Sequence, residues 1–504
     1  MLLIMAIIRI IHLMKLRRRL KSVHYSAIPI AFSIGIISCA ACWKCSLSLG
    51  AQIILLIIFA LISVIFGIFR LLLGFLFGFL ALSFVCLQID VDAQKIATFY
   101  GQKVTLSGVL SQDIIQKDGT YRAVISSPSL NYSISASKSQ AYLMLNRAPD
   151  NLARSDNITV EGILKKGFGD YEGFMYRPRL VSFGKPSPPD LAAQARAGFS
   201  TALRASLDND EVSNLALGYL VGEKGKMSED FVAQLKRIGM THAVVASGFH
   251  LGVLINFAKK YLKKISRLCA LLGSLIFLML FIAVAGFSPS LVRAGIVTVL
   301  SLFAWYYGRH FHPGRIIAYT AAISLFINPS YIANLAWQLS FLSYIGILML
   351  APIVARFLFD KNQPSFLASS IIQSASAQLL CLPILIYSYG EFSILGILAN
   401  LLISSTISVA MALSLMTGLL SLAGFAFKIL AVPAKLLLSA HVWIIGKLSQ
   451  IPWATISIPQ TPLILTIYPI LIILAFWLKK RAKFSFRPTP ELEKSEKNGK
   501  IYTC

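Results

Sequence analysis

Acidic side chains are scarce in this chain: 21 Asp and Glu face 47 Lys and Arg, a formal net charge of +26, and charged residues make up only 13% of 504 positions. Apolar residues make up 56%, and the mean hydropathy is +0.72. That balance excludes an ordinary soluble domain, because repeated apolar stretches of about 20 residues read as transmembrane helices. The positive excess fits the cytoplasmic Lys/Arg bias of a polytopic membrane protein. A path for a polyanion, whose phosphates need cationic compensation, is the sharper reading. Charge alone favours the cytoplasmic bias and does not decide function.

Cysteine is also sparse. The seven are Cys39, Cys42, Cys45, Cys86, Cys269, Cys381 and Cys504, and none lies between residues 90 and 190, so no disulfide framework is expected there. Cys39-x2-Cys42-x2-Cys45 has part of the spacing of a cluster-binding run, but no fourth ligand follows closely. Small cysteines packed in a membrane helix explain it better than a metal. No Gly-x4-Gly-Lys-Ser/Thr loop is present, so nucleotide-driven force has to come from a partner. His242, His250 and Glu223 lack a further spaced ligand for zinc. Ser247 and His250 lack an orienting acid, so neither metal, cofactor nor catalysis is expected.

Three apolar runs, near residues 26–45, 52–69 and 71–88, make an N-terminal membrane region over 1–89. Residues 90–190 are different material: alternating segments such as 102–110 and 156–164, with Lys117-Asp118-Gly119 as a hairpin turn, predict a small β-barrel. Its acids nearly match its bases, so it is only weakly basic. Residues 191–240 read as helices lying on the outer surface; one opens at Ser228-Glu229-Asp230, with Phe231, Leu235 and Ile238 as its apolar stripe. Apolar runs then alternate up to residue 480, with a broken helix expected between 392 and about 421, and 481–504 is expected to be a disordered cytoplasmic tail. Basic clusters at Lys259–Arg267, at Arg309 and Arg315, and at Lys479-Lys480-Arg481 place those turns and both termini in the cytoplasm. The chain is thus read as a mainly α, polytopic membrane protein of about 12 crossings.

Polar residues inside apolar runs are costly unless they face protein, water or substrate. Residues 216–223 read Ala-Leu-Gly-Tyr-Leu-Val-Gly-Glu, and 239–252 read Gly-Met-Thr-His-Ala-Val-Val-Ala-Ser-Gly-Phe-His-Leu-Gly. Gly286-Phe287-Ser288-Pro289-Ser290-Leu291-Val292-Arg293-Ala294, Trp337-Gln338-Leu339-Ser340-Phe341 and Phe392-Ser393-Ile394-Leu395-Gly396 with Asn400 follow in order. Together these segments resemble the ComEC-type competence family of DNA-uptake membrane channels, in a short form without the C-terminal metallo-β-lactamase-like domain of many members. The only His-x-His is His310-Phe311-His312, in an internal loop.

The resemblance implies that the 90–190 barrel is an extracytoplasmic OB-like domain, and that 191–480 is the channel. It implies translocation of single-stranded DNA across the cytoplasmic membrane during natural transformation. The chain is then a transport protein, not an enzyme, with a cytoplasmic ATP-dependent DNA translocase, an extracytoplasmic DNA receptor and a separate nuclease as partners beside membrane lipid. A transporter or assembly scaffold for another polymer or envelope component is the alternative on the same framework. Glu223, His242, Ser247, His250, Ser290, Arg293, Gln338, Ser340, Gln373 and Asn400 are the candidates for the DNA path. For the serines, bonding between helices is the favoured explanation, and Gly248 with Gly252 is read as a close helix contact. Asn400, Ser404 and Ser408 share one face, as do Ser369, Gln373 and Ser376. In the barrel, Lys165, Lys166, Tyr171, Phe174 and Arg177 are candidate DNA contacts, and Tyr100, Tyr121, Tyr142, Phe168 and Tyr176 supply further rings.

Overall fold

The computed structural model describes residues 28–44 and 69–471, apart from 112–113, 118–119, 131–133, 136–139, 150–151, 153, 168–170, 172, 187–189, 223–226, 242–247, 287–288, 310–312, 360–363, 424–427, 462–463, 465 and 469. It is mainly helical, with one small β-barrel. The chain divides into two compact units, residues 1–309, 315–341 and 393–456 in the first and 310–314, 342–392 and 457–504 in the second.

The first unit opens with α1 (Ile28–Lys44) and α2 (Phe69–Ala97). They cross closely because each supplies a glycine: a Cβ on Gly35 would lie 2.1 Å from the Phe75 carbonyl oxygen, and one on Gly78 2.2 Å from that of Phe32. Small residues permit such approach where lipid offers no hydrophobic drive. Cys39 and Cys86 are buried in this cluster, with Cys39 Sγ 3.2 Å from Ser83 Oγ, which is the packing role expected of Cys39. The Cys42 side chain and Cys45 lie outside the described residues.

No glycine or proline interrupts the chain between Gly78 and Gly101, so α2 runs past its apolar stretch to Ala97, and the first strand begins at Lys103, within the alternating segment read at 102–110. Eight strands follow: β1 (Lys103–Leu110), β2 (Ile115–Lys117), β3 (Thr120–Leu130), β4 (Ile134–Ser135), β5 (Gln140–Leu145), β6 (Asn157–Lys166), β7 (Gly173–Tyr176) and β8 (Arg179–Gly184). Five of them close a barrel in the order β1-β3-β5-β7-β6-β1, with β5 and β7 parallel and the other contacts antiparallel. Alternation sends Val104 and Leu106, Ala141, Leu143 and Leu145, and Ile158, Val160 and Leu164 into one core. Each fully buried leucine contributes about 1.5–3 kcal/mol. β2 pairs with β3 up to Lys117 and Thr120, the hairpin expected at 117–119.

Side-chain caps set several helix starts. Asp190 caps α3 (Leu191–Leu207), Asn209 caps α4 (Asp210–Val221), Ser228 caps α5 (Glu229–Arg237) and Ser266 caps α7 (Arg267–Ala285); α6 is Gly248–Leu262. The α5 cap and stripe are as anticipated. α4 differs from the expected surface helix: every residue from Val212 to Val221 is buried. A helix apolar almost all round belongs in a core. It packs among Leu203 of α3, Leu235 of α5, Ile403 of α13 (Gly396–Leu422) and Leu438 of α14 (Lys428–Ser449).

α8 (Pro289–Tyr306), α9 (Pro313–Ile327), a 3-10 turn (Pro329–Ala333) and α10 (Leu335–Ile345) follow α7. A π-helical turn (Gly346–Leu350), α11 (Ala351–Phe359) and α12 (Phe366–Tyr389) lie in the second unit. Among the described residues, four helices are long and apolar enough to cross a membrane: Arg267–Ala285, Leu335–Phe359, Leu367–Tyr389 and Ala431–Ser449. α13 makes a fifth if its halves, Gly396–Ser404 and Thr406–Leu422, count as one span bent by 47°. That bend is the broken helix anticipated between 392 and 421. Three shorter apolar helices, Ala31–Ala41, Ser290–Tyr306 and Pro313–Ile327, fall below the length of a full span. The described part therefore holds four or five candidate crossings, and a dozen are not shown.

Candidate functional site

Two helix starts meet in one polar cluster. Pro289 at the head of α8 has a φ already suited to a helix, and Ser290 and Arg293 sit three residues apart on one face. Asn334 opens α10 by accepting from the backbone N–H groups of Ala336 (3.0 Å) and Trp337 (3.2 Å). That start presents Trp337, Ser340 and Phe341 together. Arg293 Nε donates to Ser340 Oγ at 2.5 Å, and Ser290 Oγ is 3.2 Å from the same oxygen. Ser340 is buried, so this bond fixes the orientation of the guanidinium between α8 and α10. Behind it Trp337 Nε1 donates to Ser324 Oγ (2.9 Å), and the Trp337 ring lies 4.3 Å from that of Phe341.

The barrel reaches the head of this region through one arginine. Arg154 Nη2 donates to the Ala283 carbonyl at 2.6 Å, at the C-terminus of α7, where a cation is favoured by the exposed carbonyls. Gly286 follows at φ +91°, a conformation that favours glycine, and a Cβ there would push aside the Arg154 guanidinium, whose Nη1 would lie 2.6 Å away. Ser155 donates to Asp190 Oδ2, while Asp190 Oδ1 accepts from Ala192 and Ala193 at the start of α3. The Ser155 bond, with help from these amides and from Arg154, holds the Asp190 carboxyl below its usual range.

On the outer face of the barrel Tyr142 of β5 lies 5.2 Å from Tyr171 and 6.1 Å from Phe174, ring to ring. Lys165 is paired with Phe174 across the β6–β7 contact and Lys166 with Gly173; both lysines are exposed. Arg177, exposed at φ 52°, stands 5.1 Å over the Tyr176 ring. Tyr100 and Tyr121 instead pack against the barrel core, and Phe168 lies outside the described residues.

A competence protein family profile matches residues 219–482, more than half of the chain. The chain belongs to the competence protein family. It is 28% identical over 188 residues to ComE operon protein 3 of Bacillus subtilis, a stretch that covers 36% of this chain and 23% of that protein. No solved structure matches the chain.

Within the region matched to the competence family, Ser290, Arg293 and Ser340 come together from two separate motifs. Gln338 turns elsewhere: its Nε2 donates to the Ile332 carbonyl at 2.8 Å and closes the preceding 3-10 turn. Asn400 Oδ1 accepts from Ser404 Oγ at 2.5 Å within α13, the shared face that their spacing implied. Gln373 belongs to the second unit, where with Ser369 and five apolar residues of α11, α12 and the π turn it lines a groove of about 120 Å³. Glu223, His242 and Ser247 lie outside the described residues, as does the side chain of His250, whose backbone is in α6. A Cβ on Gly252 would meet nothing within 4 Å among the described residues.

Two polar features escaped the sequence reading. Arg154 carries no periodic signal; the glycine it touches, inside a family motif, was the indirect one. His441 is buried, with Nε2 2.8 Å from Thr406 Oγ1 and Nδ1 3.4 Å from Tyr219 Oη. A histidine in the apolar run of α14 was a visible signal.

Proposed function

We propose that this competence-family protein passes single-stranded DNA across the cytoplasmic membrane during DNA uptake. The observation that carries the reading is the Ser290–Arg293–Ser340 cluster, in which two family motifs fix one guanidinium at the start of the apolar helix α8. A phosphate chain moving through an apolar layer needs such oriented donors, because neither phosphate nor unpaired side chains tolerate hydrocarbon. The barrel has the order and the single parallel contact of an OB-type fold, and we assign it to the outer side of the membrane. Tyr142, Tyr171 and Phe174 offer ring faces for stacked bases beside Lys165. The Arg154 contact then hands a bound strand toward the start of α8.

On this reading the chain transports and does not catalyse. An ATP-dependent cytoplasmic translocase supplies the pull, a receptor delivers DNA outside, and a separate nuclease makes the single strand. Deletion of the gene, followed by transformation with labelled DNA, tests it: surface-bound label should persist while label protected inside the cell disappears. Unchanged entry, with defects confined to the envelope, would favour transport or assembly of another polymer.

A further inference from the structure

The turn joining α6 to α7 concentrates charge of one sign: residues 257–268 hold five cations and no acid. Lys260, Lys263, Lys264 and Arg267 are all exposed, as are Phe257 and Tyr261, whose rings lie 4.6 Å apart. Lys264 Nζ is 5.4 Å from the Tyr261 ring centre, and Lys259 Nζ is 5.4 Å from that of Trp305 on α8. Cations interleaved with amphipathic rings are the composition of a membrane–water boundary.

What these cations stand over decides their partner. Leu268, Leu272, Ile276 and Leu280 recur every fourth residue along α7, and all are exposed, while Ala270, Leu271, Ser274 and Leu278 of the opposite face are buried. The twelve steps from Leu268 to Leu280 rise about 18 Å, close to the half of a roughly 30 Å hydrocarbon layer that one leaflet occupies. A nucleic-acid path would continue the cations into polar groups. Here they continue into an apolar strip of one acyl chain's length.

We infer that the α6–α7 turn binds the headgroup of an anionic phospholipid, with Lys260, Lys263 and Lys264 around the phosphate and the acyl chains along Leu268, Leu272, Ile276 and Leu280. The site is distinct from the Ser290–Arg293–Ser340 cluster, and its test does not depend on DNA transport.

The full chain, purified in detergent and delipidated, is offered an equal mixture of phosphatidylglycerol and phosphatidylcholine, and the bound lipid is read by native mass spectrometry. Each basic side chain near an anionic surface favours binding about fivefold. The protein should therefore hold phosphatidylglycerol over phosphatidylcholine by about tenfold or more, and the combined Lys260→Gln, Lys263→Gln and Lys264→Gln variant should lose most of that preference. Equal retention of the two lipids by the unaltered protein overturns the proposal without reference to any variant. So does an unchanged preference in the triple variant accompanied by loss of binding to a single-stranded oligonucleotide, which would assign the turn to nucleic acid.

Discussion

At His441 two hydroxyls of unequal reach meet one buried ring: Thr406 at 2.8 Å and Tyr219 at 3.4 Å. A buried polar atom deprived of its partner costs about 1–3 kcal/mol, and the shorter contact has more to lose. Thr406→Val should therefore lower the melting temperature of the detergent-solubilised protein more than Tyr219→Phe; the reverse order would place the stronger contact on the tyrosine. Asp190 gives a pH dependence. Its carboxyl is held low by the Ser155 bond, so its stabilising contribution is present above the ordinary aspartate value near 3.9 and is lost as pH falls through the lower folded value. Asp190→Asn should weaken the α3 start at neutral pH and narrow its gap to the unaltered protein at acid pH, measured as melting temperature from pH 7 downward. A gap that widens on acidification would contradict the assignment.

At the scale of elements, the barrel presents its rings on a fixed framework, since Tyr142 and Phe174 are register partners on the parallel β5–β7 contact. Stacking of a base on an aromatic ring is worth about 1–3 kcal/mol. Replacing Tyr171 and Phe174 together by alanine should weaken single-strand binding by the full chain about tenfold or more, with affinity in both proteins falling as salt rises. Unaltered affinity would give the barrel a purely structural role. Much of this was legible in the chain itself. Period-two alternation located β1 and β6, Ser228 located α5, and the ordered motifs located α8 and α10. The closing order of the strands was not legible, because pairing depends on contacts such as β1 with β6 that are distant in sequence. Nor was the burial of α4, whose apolar pattern fits a core or a surface until its neighbours are known.

For the whole molecule, the barrel, the Arg154 contact and the Arg293 cluster all lie on one compact unit. The arginine–serine bond was not deducible from spacing, since 47 residues separate its partners, although each lay in a motif. On the proposed function, Arg293 serves passage of DNA and not only the joining of α8 to α10. The most direct measurement is the uptake of labelled DNA by cells carrying Arg293→Ala and Arg293→Lys, with membrane protein level and surface-bound label recorded for the same cells. A hydrogen bond to a charged group is worth about 1.5–3 kcal/mol, a factor of about ten or more. Both variants should show normal protein level and surface binding, with entry reduced about tenfold or more in the alanine variant and a smaller loss in the lysine variant, which keeps charge but not the planar donor fork. Well-expressed Arg293→Ala cells that import labelled DNA at the unaltered rate would contradict it.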